Sequence, residues 1–451
     1  MHRLFLPAIA AFLLMPVSLQ AQSSALRVPE IPVETFTLDN GLRVIVSEDH
    51  STPVVAVNMW YHVGSAHEEP GRSGFAHLFE HMLFEETENL ADGQMDELVN
   101  RAGGFNNGTT NTDRTAYFEV LPSNRLNLAL WLHAERMARL RVSQENFDTQ
   151  REVVKEERRL RVENQPYVGA QLTLDTLAQQ DYRPYAHTVI GSMDDLNAAT
   201  LDDVQAFYDN YYTPNNAVLA IVGDVTVDDA RALVEQYLGD IPAGPSVPSL
   251  PEPPSVPRTD GELRVSVDDP LAQLPLVWIA YNLPPGDSDD HYALAMLSQI
   301  LSTGESSRLR ERLINREQAA LEVFAQVDRR IGPGLFFFGS LPNQGVEVER
   351  LETLIEEEIA RLRDEPVSQR ELDKVRNQLL TQAVTQRLTV QSKASLLQAA
   401  ALMQGDATRV NDELVRYQAV TAEDIQRVAQ TYLVPTNRTV VLAVPARPVG
   451  E

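Results

Sequence analysis

Thr200-Leu201-Asp202-Asp203-Val204-Gln205 leads to Tyr212-Thr213-Pro214-Asn215-Asn216 and then to the apolar run Ala217-Val218-Leu219-Ala220-Ile221-Val222. The pattern returns 221 residues later. Thr421-Ala422-Glu423-Asp424-Ile425-Gln426 leads to Leu433-Val434-Pro435-Thr436-Asn437 and then to Thr439-Val440-Val441-Leu442-Ala443-Val444. Each copy reads as a capped helix, a Pro-Asn turn and a buried strand. A chain that repeats this unit is built from two similar halves. Between them, residues 239–261 hold seven prolines, from Pro242 to Pro257. Proline at that density makes an extended linker.

The remaining patterns fit one plan used twice. In the first half, strands are expected at 34–48, 54–62, 104–109 and 115–120. Helices are expected at 94–101, 123–140 and 144–163. In the second half, strands are expected at 262–268, 276–283, 320–328 and 334–341, with helices at 289–302, 346–363 and 368–390. Strand runs followed by helix runs predict an α+β protein of two similar domains, each a mostly antiparallel sheet covered by helices. The expected division is residues 28–240, a linker at 241–260, and residues 261–446.

Only the first half carries a chemical motif, in Gly74-Phe75-Ala76-His77-Leu78-Phe79-Glu80-His81-Met82-Leu83-Phe84. On a helix, positions i and i+4 stand one above the other, so His77 and His81 share a face. Two neutral imidazoles at that spacing suit Zn²⁺, and Glu80 stands where it can take a proton from a water. With 9 His in 451 residues, His-x-x-Glu-His arises by chance in about 1% of such chains, so the motif points to a metal site. The corresponding second-half segment, Tyr292 to Leu301, has no ligand pair. A catalytic zinc needs a third protein ligand. The best acidic cluster is Gln150-Arg151-Glu152-Val153-Val154-Lys155-Glu156-Glu157, on a helix opened by Ser143. Composition alone does not choose among Glu152, Glu156 and Glu157.

With the inverted His-x-x-Glu-His motif and the acidic helix downstream, the chain resembles the pitrilysin and insulin-degrading enzyme family of zinc peptidases, in particular its half-length bacterial and mitochondrial-processing-type members. The resemblance implies two α+β domains forming half of a clamshell, and Zn²⁺ as cofactor. It implies metal ligands His77, His81 and Glu157, the last lying 76 residues after His81, with Glu80 as the catalytic base. It puts Gln150 where many members carry a carboxylate behind the metal. Gly103-Gly104-Phe105-Asn106-Asn107-Gly108-Thr109-Thr110 resembles the family's edge strand that pairs with peptide backbone, so Asn107 and Gly108 are expected to contact substrate. Gly108 replaces the usual Ala there. The slots in which many members carry a substrate-binding Arg and Tyr hold Ile314 and Leu321, which donate no side-chain hydrogen bond. The resemblance therefore implies a peptidase of short or unfolded peptides, working as the zinc-bearing subunit of a heteromer with a related subunit lacking the motif, or as a homodimer. The alternative is a non-catalytic peptide-binding or assembly subunit.

Composition bounds the rest. Met1-His2-Arg3 and the apolar Leu4–Met15, ending at Ser18-Leu19-Gln20-Ala21, read as a signal peptide over 1–21. A periplasmic or secreted protein is expected, with no stable membrane span. Cysteine is absent, which excludes disulfides and a thiol nucleophile. A net charge of −26 excludes a basic footprint for nucleic acid. His50, His62, His67, His133, His187 and His291 have no ligand spacing and read as structural or exposed, as does Tyr185 in Arg183-Pro184-Tyr185.

Overall fold

A computed structural model describes residues 28–446; the expected signal peptide lies outside them. Two sheets form. The first contains β1 (Glu34–Thr37), β2 (Arg43–Glu48), β3 (Val54–Tyr61), β4 (Phe105–Thr110), β5 (Thr115–Pro122) and β6 (Ala217–Gly223), in the order β1-β2-β6-β3-β5-β4. The second contains β7 (Leu263–Asp269), β8 (Leu276–Pro285), β9 (Ala320–Asp328), β10 (Pro333–Pro342) and β11 (Arg438–Pro445), in the order β7-β11-β8-β10-β9. Each sheet is antiparallel except for one parallel pair, β2 with β6 and β11 with β7. The α+β class with two similar sheets is as expected. The single strand expected at 34–48 is a hairpin instead. Asn40-Gly41 turns the chain, with Gly41 at φ 88°, a conformation that favours glycine.

The first half contributes helices α1 (Phe75–Met82), α2 (Gln94–Arg101), α3 (Leu126–Ala138), α4 (Gln144–Arg158), α5 (Val168–Ala178), α6 (Met193–Ala198), α7 (Leu201–Tyr211) and α8 (Val227–Leu238). The second contributes α9 (Asp290–Ser302), α10 (Val348–Asp364), α11 (Gln369–Gln386), α12 (Val390–Gln404), α13 (Glu413–Ala419) and α14 (Ala422–Tyr432). The repeat is reproduced in atomic detail. Thr200 caps α7 and Thr421 caps α14, each in a reciprocal box with an Asp three residues on. Asn216 then donates to the carbonyls of Tyr211 and His62, and Asn437 to those of Tyr432 and Asn282.

The expected helix at 368–390 stops at Gln386. Thr389 caps a separate helix, α12, by accepting the Ser392 amide. That helix leaves its own half. Ala394, Leu397 and Ala401 pack on Ile45, Ala56, Val218 and Val222 of the first sheet. Gln398, fully buried, donates to the carbonyls of Asn58 and Val218 at 2.9 Å each. In return α5 lays Ala170, Leu174 and Ala178 on Leu276, Trp278, Leu335 and Val441 of the second sheet. Each sheet thus has one face covered by its own helices and the other by a helix from the opposite half.

Among the described residues β4 is an edge strand, with β5 as its one neighbour. The Asn111 amide donates to the Arg114 carbonyl across the β4–β5 turn. Hydrogen-bonded and non-bonded pairs alternate from there. Asn106, Gly108 and Thr110 therefore turn their backbone groups away from β5, toward the open edge.

Candidate metal centre

α1 carries the motif. Five of its eight residues, Phe75, Ala76, Leu78, Phe79 and Met82, are buried in the first core, which leaves His77, Glu80 and His81 on the remaining face. Its start is fixed by a residue that periodicity does not reveal. Glu68 is buried, and its carboxylate accepts the amides of Gly74 at 2.9 Å and Ala76 at 2.8 Å. A carboxylate at a helix N-terminus satisfies orphan donors and complements the dipole. His187 stands 3.1 Å from Glu68. Burial disfavours charge on both, but the Glu68 carboxylate raises the His187 pKa above its ordinary value. The other end of α1 is held from β5 and α3: the Tyr117 hydroxyl donates to Phe79 O at 2.9 Å, and Arg136 Nε to Leu83 O at 3.2 Å.

α4 brings Glu157 to the same place. Glu157 Oε2 lies 3.1 Å from His81 Nε2 and 3.5 Å from His77 Nε2. Of the three acids left open by composition, Glu152 and Glu156 pair instead with Lys155 and Arg159. Arg158, one residue on, does not face the cluster. It donates to Gly191 O at 2.8 Å and ties α4 to the loop that packs on the start of α1. At that crossing a Cβ on Gly191 would stand 2.4 Å from Ser73 O, so only glycine fits. Glu68, His187 and Arg158 carry no motif spacing, and their only sequence signal was proximity to motifs.

The donor set fits zinc. Ligands at about 2.0–2.1 Å in a tetrahedron stand about 3.3 Å apart, close to the two separations observed. The ligand atoms of His77, His81 and Glu157 all lie within 4.8 Å of one another, the one such group among the described residues. Burial and the neighbouring His81 push His77 down to about 4, which keeps it in the neutral form a metal requires.

A cleft of about 1010 Å³ opens over the cluster. Glu80 and the edge strand line it, with Asn107 and Gly108 among the lining residues. Burial pushes the Glu80 carboxyl above its ordinary value, and the Glu157 charge adds to this against the pull of Thr110 and His81. Gly108 sits beneath Glu80: a Cβ there would stand 3.0 Å from both Glu80 Cγ and Phe84 Cε2. The outward amide of Gly108 donates to Asn107 Oδ1 at 2.8 Å. Gln150 is placed differently from the other site residues. Its amide donates to buried Glu85, and among the described residues no hydrogen bond joins it to the three ligand side chains. Glu85 is pushed up to about 7 by burial and by Asp92, against Gln150. In the second half, Ile314 packs against the core and Leu321 is exposed on β9.

Two family models match, described as "Insulinase (Peptidase family M16)" over residues 43–190 and "Peptidase M16 inactive domain" over 198–379. The zinc protease PqqE of Helicobacter pylori is 32% identical over 414 residues, 91% of this chain and 93% of that protein. An uncharacterized zinc protease of Mycobacterium tuberculosis, Rv2782c, is 26% identical over 88% of this chain and 90% of its own length. The crystal structure of a protease from H. pylori superposes with a TM-score of 0.87 at 30% identity, over 92% of this chain and all of that one. The periplasmic protease PqqL of Escherichia coli shares the fold, at TM-score 0.75 and 21% identity over 93% of this chain and 48% of that one. With the inverted motif on α1 and these relatives, the chain belongs to the M16 (insulinase) family of peptidases.

Proposed function

We propose that this chain is an exported zinc metalloendopeptidase that cleaves short or unfolded peptides as the zinc-bearing subunit of a two-subunit assembly. The observation that carries the reading is the convergence of His77, His81 and Glu157 beside Glu80 and an open strand edge. Export rests on the pattern of residues 1–21.

An extended peptide adds to β4 through the outward backbone groups of Asn106, Gly108 and Thr110, with little demand on its sequence. Its scissile bond then lies over the ligand cluster. His77, His81 and Glu157 would hold Zn²⁺, which would supply Lewis acidity and acidify an attacking water. Glu80 accepts the proton of that water and returns it to the leaving amine; a carboxyl with a raised pKa suits both steps. Stabilising the tetrahedral oxyanion calls for a further donor. Ile314 and Leu321 provide none, which supports a second subunit that completes the site.

Zinc content and hydrolysis of a quenched peptide test the reading. The chain is expected to hold one zinc. Alone it should cleave slowly, and a related subunit without the motif should accelerate it. Glu157→Gln is expected to lose the metal. Zinc-replete Glu80→Gln cleaving as fast as the wild type would remove the peptidase reading. Full activity of a homogeneous preparation would remove the pairing.

A further inference from the structure

We propose that Tyr185 and Asp113 are positioning residues through which the metal-free half holds the substrate edge of β4 in place; this rests on the reading that β4 pairs with peptide.

β4 has one sheet neighbour, so its exit end is only as well placed as the β4–β5 turn. Asp113 lies in that turn and is buried. Both its oxygens are engaged. Oδ1 accepts the Tyr185 hydroxyl at 2.5 Å, and Oδ2 accepts the backbone amide of Ile331 at 2.9 Å. The Tyr185 oxygen in turn accepts the Gly332 amide at 2.7 Å. Ile331 and Gly332 form the β9–β10 turn of the second half. Beside them Arg330, buried between Asp175 and Asp328, sets its guanidinium 5.3 Å above the Tyr185 ring.

The same β4–β5 turn is gripped from the metal side. Ser65 and Ala66 donate their amides to Asn111 O and Thr112 O at 3.3 and 2.9 Å. That segment runs directly into Glu68, the carboxylate that caps α1. A network of hydrogen bonds and short backbone segments, with Asp113 and Tyr185 buried in it, therefore connects a turn of the metal-free half to both the substrate edge and the start of the metal helix. Its members are costly to leave unpaired. The arrangement fixes the position of β4 relative to the ligand cluster, not the cluster itself, because none of its hydrogen bonds reaches His77, His81 or Glu157.

Two substitutions on opposite sides of the contact test this. Tyr185→Phe keeps the ring and removes the hydroxyl. Gly332→Ala changes no residue of the metal-bearing half, but its Cβ would stand 2.9 Å from the Tyr185 oxygen and 3.0 Å from Cζ, inside ordinary contact. Both are expected to raise KM for a quenched peptide about tenfold, with kcat and zinc Kd within about twofold of wild type. Both should also speed exchange of the β4 amides that bond to β5, those of Phe105, Asn107 and Thr109, by about tenfold. Unchanged exchange in β4 would overturn the inference. So would a parallel loss of zinc affinity, since the contact would then be a general structural pin. Exchange is read without catalysis, so a wild-type chain that cleaves nothing even with the related subunit defeats the peptidase reading while the exchange result still judges the buttress.

Discussion

Glu80 and Glu157 are two carboxylates facing one cleft, and their surroundings assign them different work. Glu157 Oε2 points at two imidazole nitrogens, while its Oε1 is held by Arg161 at 2.9 Å. Among the described residues Glu80 has no imidazole or guanidinium within salt-bridge distance, and burial raises its pKa, which suits the proposed role of accepting and releasing a proton. Removing that carboxylate in Glu80→Gln should lower kcat by about 10²–10⁴-fold with zinc retained. Arg158 belongs to the same scale. It ties the ligand helix to Gly191, so Arg158→Met should weaken zinc binding about tenfold, as loss of outer-shell support does. Competition with a chromogenic chelator measures this; an unchanged Kd would mean that packing alone holds α4.

Among elements, the exchange of α5 and α12 matters most. Leu397 on α12 is fully buried against the first sheet, and Leu174 on α5 is 3% exposed against the second. Neither half covers both faces of its own sheet, so the two should unfold together. Urea denaturation is expected to give a single transition for both halves, read from Trp60 in β3 and Trp278 in β8. Leu397→Ala, in second-half sequence, should lower that transition by about 2–5 kcal/mol and at both probes alike. Two separate transitions would contradict it. The Pro-rich segment and the repeat made two halves legible. The exchange was not legible, because α12 reads as a continuation of α11 until Thr389 is seen capping it. Its small-residue run, Ala399-Ala400-Ala401, does not say which sheet it covers.

For the whole molecule, pH acts through groups of opposite sign. Burial lowers His67 to about 4 and His291 to about 3, from an ordinary 6.5. Burial also raises Glu68 and Asp113, and raises Glu85 to about 7. A histidine whose folded value is depressed lets the unfolded chain take up the proton first. Its penalty is absent above pH 6.5 and grows as pH falls toward the folded value. The raised carboxylates shift stability the other way, so the net profile is a difference between the two sets. Replacing His291 isolates one contribution. Relative to wild type, His291→Asn should gain about 2–3 kcal/mol between pH 6.5 and 4.5. Parallel stability profiles for the two proteins would show that His291 titrates normally when folded.

The sequence alone determined what depends on local spacing. The His77–His81 pair follows from the helical period, the two capped helices from Thr200 and Thr421, and the duplicated scaffold from their constant separation. Residues 34–48 show a local signal left unread, since Asn40-Gly41 between two short apolar runs is itself a hairpin-turn signature. Tertiary structure decided what depends on residues far apart in the chain. It brought Glu157, the acid the family resemblance implied but composition left level with Glu152 and Glu156, to the histidines by the side of α4 that faces α1. It turned Gln150 toward Glu85, set Glu68 under the metal helix, and sent each half's helix to the other half's sheet. Spacing fixes which side chains share a face, but a face acquires its partner only when distant segments compete for the same buried surface.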